Sequence, residues 1–366
     1  MSRSIDRLFT PFVFNGLTVP NRIVMAPMTR SHSPGGIPGE DVAAYYRRRA
    51  EGGVGLIITE GTTVDHPVAR NDPSVPQFHG EALKGWRRVV DEVHDAGGLI
   101  MPQLWHVGTM RIQEKGPHPE LPSVGPSGLF KPGKKVAEPM TQKDIDDVVN
   151  AFARAAGAAR ELGFDGVELH GAHGYLIDQF FWSGTNLRDD RYGGDAPHRT
   201  RFAVEIIEAV RREVGVDFPL ILRFSQWKQQ DYEHKIAPTP GALAAFLKPL
   251  SEAGVDLFHC STRRFWEPEF DGSPLNLAGW TKKLTGKPTM TVGSVGLSGE
   301  FIAAFAGESS QATGVDELME RFDAGEFDLV AIGRALLVDP QWARKLQQGR
   351  YDEMMPFNPK ALATLS

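Results

Sequence analysis

Eight short apolar runs, separated by longer stretches with helical patterning, constrain this chain more than any other feature. They are Arg22–Met28, Gly55–Glu60, Gly98–Trp105, Gly166–His170, Pro219–Ser225, Leu257–Ser261, Lys287–Gly293 and Asp328–Gly333. Most are nearly continuous in Val, Ile, Leu and Met rather than alternating, the pattern of strands buried on both faces. Between them, Lys143–Leu162 places Ile145, Val148, Val149, Phe152, Ala155 and Ala156 at helical spacing behind a Thr141/Asp144 capping-box start. Thr200–Val214 repeats the pattern with Phe202, Val204, Ile206, Ile207 and Val210. Parallel strands need crossover helices, so eight strand–helix units predict an α/β fold, a (β/α)8 TIM barrel, as a single domain over residues 1–366. A doubly wound sheet is the main competitor, weakened by the absence of a GxGxxG turn after the first run.

Ahead of the first run, Phe12–Val19 reads as two strands about an Asn15-Gly16 turn, an N-terminal β-hairpin expected to cap the barrel floor. A length of 366 residues allows two average domains or one large barrel, so here the strand count decides. The single cysteine, Cys260, excludes disulfides, cysteine-ligated zinc and iron–sulfur clusters within the chain and reads as a buried apolar residue. A net charge of -6 argues against nucleic-acid or acidic-membrane partners. Met1 to Thr10 has no apolar signal-peptide core, and no run approaches the roughly 18 apolar residues of a membrane span. A cytoplasmic setting, as a monomer or homodimer, is expected.

The chemistry sits where the runs end. Three connections are long, Val107–Met140, Gly174–His198 and Thr262–Trp280, and each follows a strand, on the face where barrel enzymes keep their sites. The fourth run leads into Val167-Glu168-Leu169-His170-Gly171-Ala172-His173-Gly174-Tyr175-Leu176. Two imidazole N–H groups and a phenol facing one cavity suit holding a carbonyl or nitro oxygen while a proton is delivered nearby. The histidine pair also admits a metal-dependent aldolase or hydrolase on the same barrel, although the motif carries no further carboxylate or thiolate ligand close by. Other strand ends carry Ala26-Pro27-Met28-Thr29-Arg30, Thr59-Glu60-Gly61-Thr62, Gln103-Leu104-Trp105-His106 and Leu222-Arg223-Phe224-Ser225. After the seventh and eighth come Gly293-Ser294 and Gly333-Arg334, small residues plus an arginine, as a phosphate site on a barrel needs. Arg223 could instead pair with Glu60 or Glu168, and His32, His66, His94, His106 and His118 read as structural or surface residues. Arg263 and Arg264 read as a solvated pair or as a contact for a dinucleotide phosphate.

Together with the run Gly184–Gly194 and with Arg199 and Arg201, these strand-end motifs resemble the old yellow enzyme family of FMN-dependent NAD(P)H ene-reductases, from about Leu8 to about Gln348. The resemblance implies FMN over the barrel mouth, reduced by NADPH or NADH. Hydride then passes to the β-carbon of an activated alkene of the enone, nitroalkene or maleimide type. It implies that Thr29 bonds a flavin carbonyl, Gln103 meets the pyrimidine edge and Arg223 lies near flavin N1, with Pro27, Met28 and Gly61 also at the cofactor. Gly293, Ser294, Gly333 and Arg334 would take the phosphate. His170 and His173 would bind the substrate oxygen and Tyr175 would give the proton, with Trp105 and Trp266 as substrate walls; no metal is expected. Trp105 also reads as core packing, and Phe265 and Trp266 read equally as plain packing or as a mobile lid over the flavin. Other FMN-dependent barrel oxidoreductases with a non-alkene acceptor, and a flavin protein without turnover, remain open. The chain departs from the family at Arg223-Phe224-Ser225-Gln226-Trp227-Lys228, where many relatives continue Arg-Leu-Ser-Pro. It departs again at Gly108-Thr109-Met110-Arg111, and the loop Val64–His79 has no tyrosine, offering Arg70-Asn71-Asp72-Pro73. Those differences bear on the pocket walls rather than on the reaction.

Overall fold

The computed structural model describes residues 5–299 and 307–366; residues 1–4 of the polar start lie outside it. Each of the eight apolar runs contains one strand: β1 Ile23–Met25, β2 Leu56–Thr63, β3 Ile100–Trp105, β4 Val167–His173, β5 Leu220–Lys228, β6 Leu257–Ser261, β7 Thr289–Val292 and β8 Leu329–Ile332. They pair in chain order, all parallel, and β8 closes on β1, giving the (β/α)8 barrel. Every residue of β2, β3 and β5 is buried, which is why these strands lack alternation.

Crossover helices include α1 Glu40–Glu51, α2 Ala82–Asp95, α3 Gln142–Glu161 and α4 Arg201–Val214. The expected capping box forms at α3: Thr141 accepts from the Asp144 backbone while the Asp144 carboxylate takes the Thr141 N–H. The apolar stripe of α3 buries Ile145, Val148, Phe152 and Ala156, and α3 packs beside α4.

Inside the barrel floor, Val24, Leu56, Ile58, Met101, Ile221, Leu257, Met290 and Leu329 form one apolar cluster with Phe14 and Val19. Phe14 and Val19 come from the antiparallel hairpin Phe12–Phe14/Leu17–Val19, so the hairpin does cap the floor. Its turn needs positive φ at both central residues, and Asn15 (φ 42°) and Gly16 (φ 75°) supply it. Among the described residues no helix is long and apolar enough to cross a membrane.

The structure extends three strands past the predicted ends, β2 among them, which runs through Thr63 rather than stopping at Glu60. β4 runs through His173, and β5 continues to Lys228 rather than stopping at Ser225. The ladder pairs His170 with Arg223 and Gly171 with Phe224, then resumes at His173 with Lys228, so β5 bulges beside the mouth. Polar residues can continue a buried strand here because the Lys228 ammonium meets the Asp178 carboxylate at 2.5 Å, both side chains being fully buried. The long connections acquire structure too: a hairpin, Leu129–Lys131/Lys134–Lys135, after β3, and a short helix, Leu176–Phe181, after β4.

Candidate active site

At the C-terminal mouth of the strands lies a cavity of about 290 Å³. Pro27, Met28, Thr29, Gly61, Gln103, Arg223, Gly293, Ser294, Gly333 and Arg334 all line it, together with Trp105, His170, His173 and Tyr175. Trp266 does not. Phe265 is drawn down by its N–H to the Gly293 carbonyl (3.1 Å) and by Asn276 Nδ2 to its own carbonyl (2.8 Å). Trp266 packs edge-on against that ring at 5.1 Å, so the pair joins the outer packing and neither walls nor covers the cavity. Arg263 does line the cavity, while Arg264 pairs with Glu267 at 2.8 Å.

A polar relay lies under one side. Glu168 is fully buried, and its carboxylate takes Gln103 Nε2 at 2.7 Å and His259 Nδ1 at 2.7 Å. With Nε2 donating to Glu168, the Gln103 side-chain carbonyl oxygen is left as an acceptor. Glu60 takes the backbone N–H groups of Arg30 and Ser31 (2.7 and 3.1 Å), so neither carboxylate considered for Arg223 ion-pairs with it. Among the described residues the Arg223 Nε has no partner, and burial pulls its guanidinium down to a pKa of about 10 despite the nearby Glu168 charge. A buried cation in this condition favours an anionic partner.

At the opposite end, Gly293 has φ 145°, and a Cβ there would sit 2.7 Å from the Thr262 carbonyl oxygen, so only glycine fits. The Arg334 guanidinium extends beside it, 3.5 Å from Ser294 Oγ and 3.4 Å from Ser310 Oγ. Gly61 is constrained similarly: a Cβ would meet the Trp105 ring at 2.6 Å.

Between these ends the aromatic groups of β3 and β4 converge. The His170 ring lies 5.2 Å from His173 and 5.0 Å from Tyr175, and Trp105 stands edge-on to Tyr175 at 4.8 Å. His173 adopts φ 67°, an uncommon conformation for a residue other than glycine, and stacks on Trp227 at 4.6 Å. Arg223 Nη2 donates to Ser261 Oγ (3.3 Å), and that hydroxyl also lies 2.8 Å from His173 Nε2. His170 Nδ1 is buried without a partner among the described residues. Burial, reinforced by Arg223, holds both histidines well below their ordinary pKa, so both are neutral at physiological pH. Burial raises the Tyr175 pKa, against the opposing effects of a hydrogen bond from Gln229 and of Arg223, so the phenol keeps its proton.

Residues 7–353 match the model of the NADH:flavin oxidoreductase / NADH oxidase family. The chain belongs to the old yellow enzyme family. It is similar to an NADH oxidase of Thermoanaerobacter brockii, 35% identical over 95% of the chain; the chain spans about half of that protein (52%). It is 33% identical to a putative 12-oxophytodienoate reductase 2 of Oryza sativa, covering 94% of the chain and 89% of the relative. Among solved structures it resembles morphinone reductase in complex with tetrahydroNAD, with TM-score 0.81, 27% identity and 97% and 93% of the two chains covered. It also resembles the old yellow enzyme homologue from Zymomonas mobilis (TM-score 0.78, 26% identity, 98% and 99% covered).

Old yellow enzymes are FMN-dependent oxidoreductases with nicotinamide reductants. The cavity-lining residues that could hold such a cofactor are Gln103, Arg223, whose buried Nε has no partner among the described residues, and the Gly293–Ser294 segment beside Arg334. The competing metal reading finds no support in ligand geometry, since no group of three His, Cys, Asp or Glu side chains converges among the described residues.

Several lining residues were not anticipated: Trp227, Gln229, Ser261, Phe357 and Leu362. Trp227 lies in the departure after Arg223 and Gln229 just past it, a signal that marked the segment but not its direction. Ser261 ends the sixth run, where its hydroxyl alone carries no motif. Phe357 and Leu362 enter from the C-terminal tail, far along the chain from any strand end.

Proposed function

We propose that this chain is an FMN-dependent ene-reductase that uses NADPH or NADH to reduce activated alkenes of the enone, nitroalkene or maleimide type, with Tyr175 as the acid. The observation that carries this reading is the buried Nδ1 of neutral His170, without a partner among the described residues and set beside His173 and the Tyr175 phenol in the cavity that Arg223 also faces. A buried polar atom without a partner in the wall of a cavity supports a ligand as its missing partner.

The donor set fits FMN. Gln103 presents an acceptor to the pyrimidine N–H, and Thr29 is placed for a flavin carbonyl. Arg223 would bring a fixed positive charge to the N1 side, and Gly293, Ser294, Gly333 and Arg334 would offer a phosphate both backbone approach and charge. Pro27, Met28 and Gly61 would lie against it. When bound, FMN supplies the electron pair, taken from the nicotinamide and delivered as hydride to the alkene β-carbon. The protein's own residues do the rest. His170 and His173 grip the substrate oxygen and draw electron density from the alkene, Tyr175 supplies the α-proton, and Trp105 walls the substrate and excludes water. Relatives named as reductases of 12-oxophytodienoate and morphinone, one solved with tetrahydroNAD, support an enone-like acceptor and a nicotinamide visitor.

The purified protein is expected to carry a flavin spectrum that leaves on denaturation, to bleach anaerobically with NADPH or NADH, and to recover on adding 2-cyclohexenone. Phenols should produce a long-wavelength charge-transfer band that His170→Ala weakens. Bleaching without recovery by any enone, maleimide or nitroalkene would transfer the protein to flavin chemistry with a non-alkene acceptor.

A further inference from the structure

The side-chain amide of Gln229 reaches the Tyr175 phenol, with Nε2 3.0 Å from Oη. Its position is determined by its neighbours. The Gln229 N–H approaches the His173 carbonyl at 3.4 Å. Lys228, one residue earlier, is buried against Asp178, whose other oxygen takes the Gly174 N–H at 2.7 Å. One buried ion pair therefore ties the end of β5 to the turn between His173 and Tyr175, and it delivers the amide to the phenol.

An amide N–H only donates, so Oη accepts from Gln229 and the phenol's own proton is turned elsewhere. With Trp105 edge-on to the Tyr175 ring and His170 beside it, the cavity is what remains for that proton. We propose that Gln229 is a positioning residue for Tyr175: it keeps the transferable proton aimed into the cavity and stabilises the phenolate that remains. The inference rests on Tyr175 being the acid of the proposed reaction. In that step the Tyr175 O–H bond breaks and its electron pair stays on Oη. The proton bonds the α-carbon, which holds the pair displaced when hydride reached the β-carbon, and water later reprotonates Oη. An N–H bond to a phenolate is stronger than one to a phenol, so the Gln229 contact tightens as the proton leaves and favours the transition state over the ground state. Consistent with this, the amide's donation lowers the phenol's pKa against the burial that raises it. Gln229 follows directly on the last residue of β5, just past the segment that departs from Arg-Leu-Ser-Pro.

The test compares the parent holoenzyme with Gln229→Met, Gln229→Glu, Tyr175→Phe and the Gln229→Met/Tyr175→Phe double variant. Stopped-flow gives the rate of flavin reoxidation by 2-cyclohexenone divided by the rate of reduction by NADPH in each. Gln229→Met should lower that ratio by roughly tenfold to a hundredfold, the worth of a hydrogen bond to a developing charge. In Gln229→Glu an ionised carboxylate accepts the phenol proton, so the ratio should be low at pH 8 and recover as the pH falls and the carboxyl protonates. In the Tyr175→Phe background, Gln229→Met should cost nothing further. Independently of turnover, the 13Cζ signal of Tyr175, assigned by its loss in Tyr175→Phe, should titrate at higher pH in Gln229→Met than in the parent. A parent-like ratio in Gln229→Met, or losses that multiply in the double variant, overturns the inference. A parent that no enone reoxidises, or a Tyr175→Phe variant with the parent ratio, overturns the reading of Tyr175 itself, and the inference with it.

Discussion

At the floor of the barrel, Val24, Leu56, Ile58, Met101, Ile221, Leu257, Met290 and Leu329 close against Phe14 and Val19 of the hairpin, apolar on apolar. At the mouth, a few residues further along the same strands, the side chains are His170, His173, Arg223, Gln103 and Ser261, and buried atoms such as His170 Nδ1, Arg223 Nε and Trp105 Nε1 have no partner among the described residues. The mouth also holds strained backbone, with His173 at φ 67° and Ser294 at φ 54°. One set of strands thus divides its work along its length: its first residues lower the free energy of the fold, and its last residues leave polar groups in want of a ligand. Substitutions at the two ends should separate stability from chemistry, and the predictions below probe how cleanly they do.

The largest expected effect is at the mouth. Tyr175→Phe should leave the melting temperature and NADPH-driven bleaching close to the parent but slow enone-dependent reoxidation by about 10²- to 10⁴-fold, the range for a general acid. Equal reoxidation rates in single-turnover mixing would remove Tyr175 from its role.

Lys228→Met tests the seam that joins the two behaviours. It strands Asp178 as a buried unpaired charge and should cost about 3–5 kcal/mol in denaturant unfolding, whereas Lys228→Met with Asp178→Leu should recover much of that loss. If both variants lose the same stability, the pair is not what holds the β5 extension. At the floor, Leu257→Ala should cost about 2–5 kcal/mol of unfolding free energy and leave the ratio of reoxidation to reduction unchanged in the folded fraction. A changed ratio there would mean that floor packing reaches the mouth, and the division would fail.

The same division explains what could be read from the residues alone. The floor and the strand count were legible because burial on both faces leaves continuous runs such as Leu220-Ile221-Leu222, and α3 was legible because Thr141 and Asp144 mark its start by a local rule. The residues gathered at strand ends were legible as a set, since a barrel brings all strand ends to one face whatever the intervening sequence. Contacts that depend on a bulge or a tertiary ion pair were not. Lys228 looks like the polar residue that ends a strand until Asp178, fifty positions away, neutralises it. Trp266 looks like a cavity aromatic until Asn276 and Gly293 draw its neighbour Phe265 into the outer layer. Phe357 and Leu362 reach the cavity by the path of the tail, which no local pattern encodes.

The smallest and most diagnostic effect concerns Glu60, near the end of β2, where floor gives way to mouth. Its carboxyl is buried, and its Oε2 takes the N–H groups of Arg30 and Ser31, which shape the turn just after Thr29. Burial raises its pKa from 4.5 to about 7, outweighing the lowering by those two N–H groups. Because the folded-state value is the higher one, the folded protein holds a proton that the unfolded chain has released between about pH 4.5 and 7. The stability this contributes is therefore fully present below about pH 4.5 and is lost as the pH rises through about 7, up to about 3 kcal/mol in all. Glu60→Gln carries no such proton, so the parent's stability relative to the variant should fall on going from pH 5 to pH 7.5 in urea titrations. A gap that stays constant across that range would show that the Glu60 carboxyl is ionised throughout and that its two backbone contacts, rather than burial, control it.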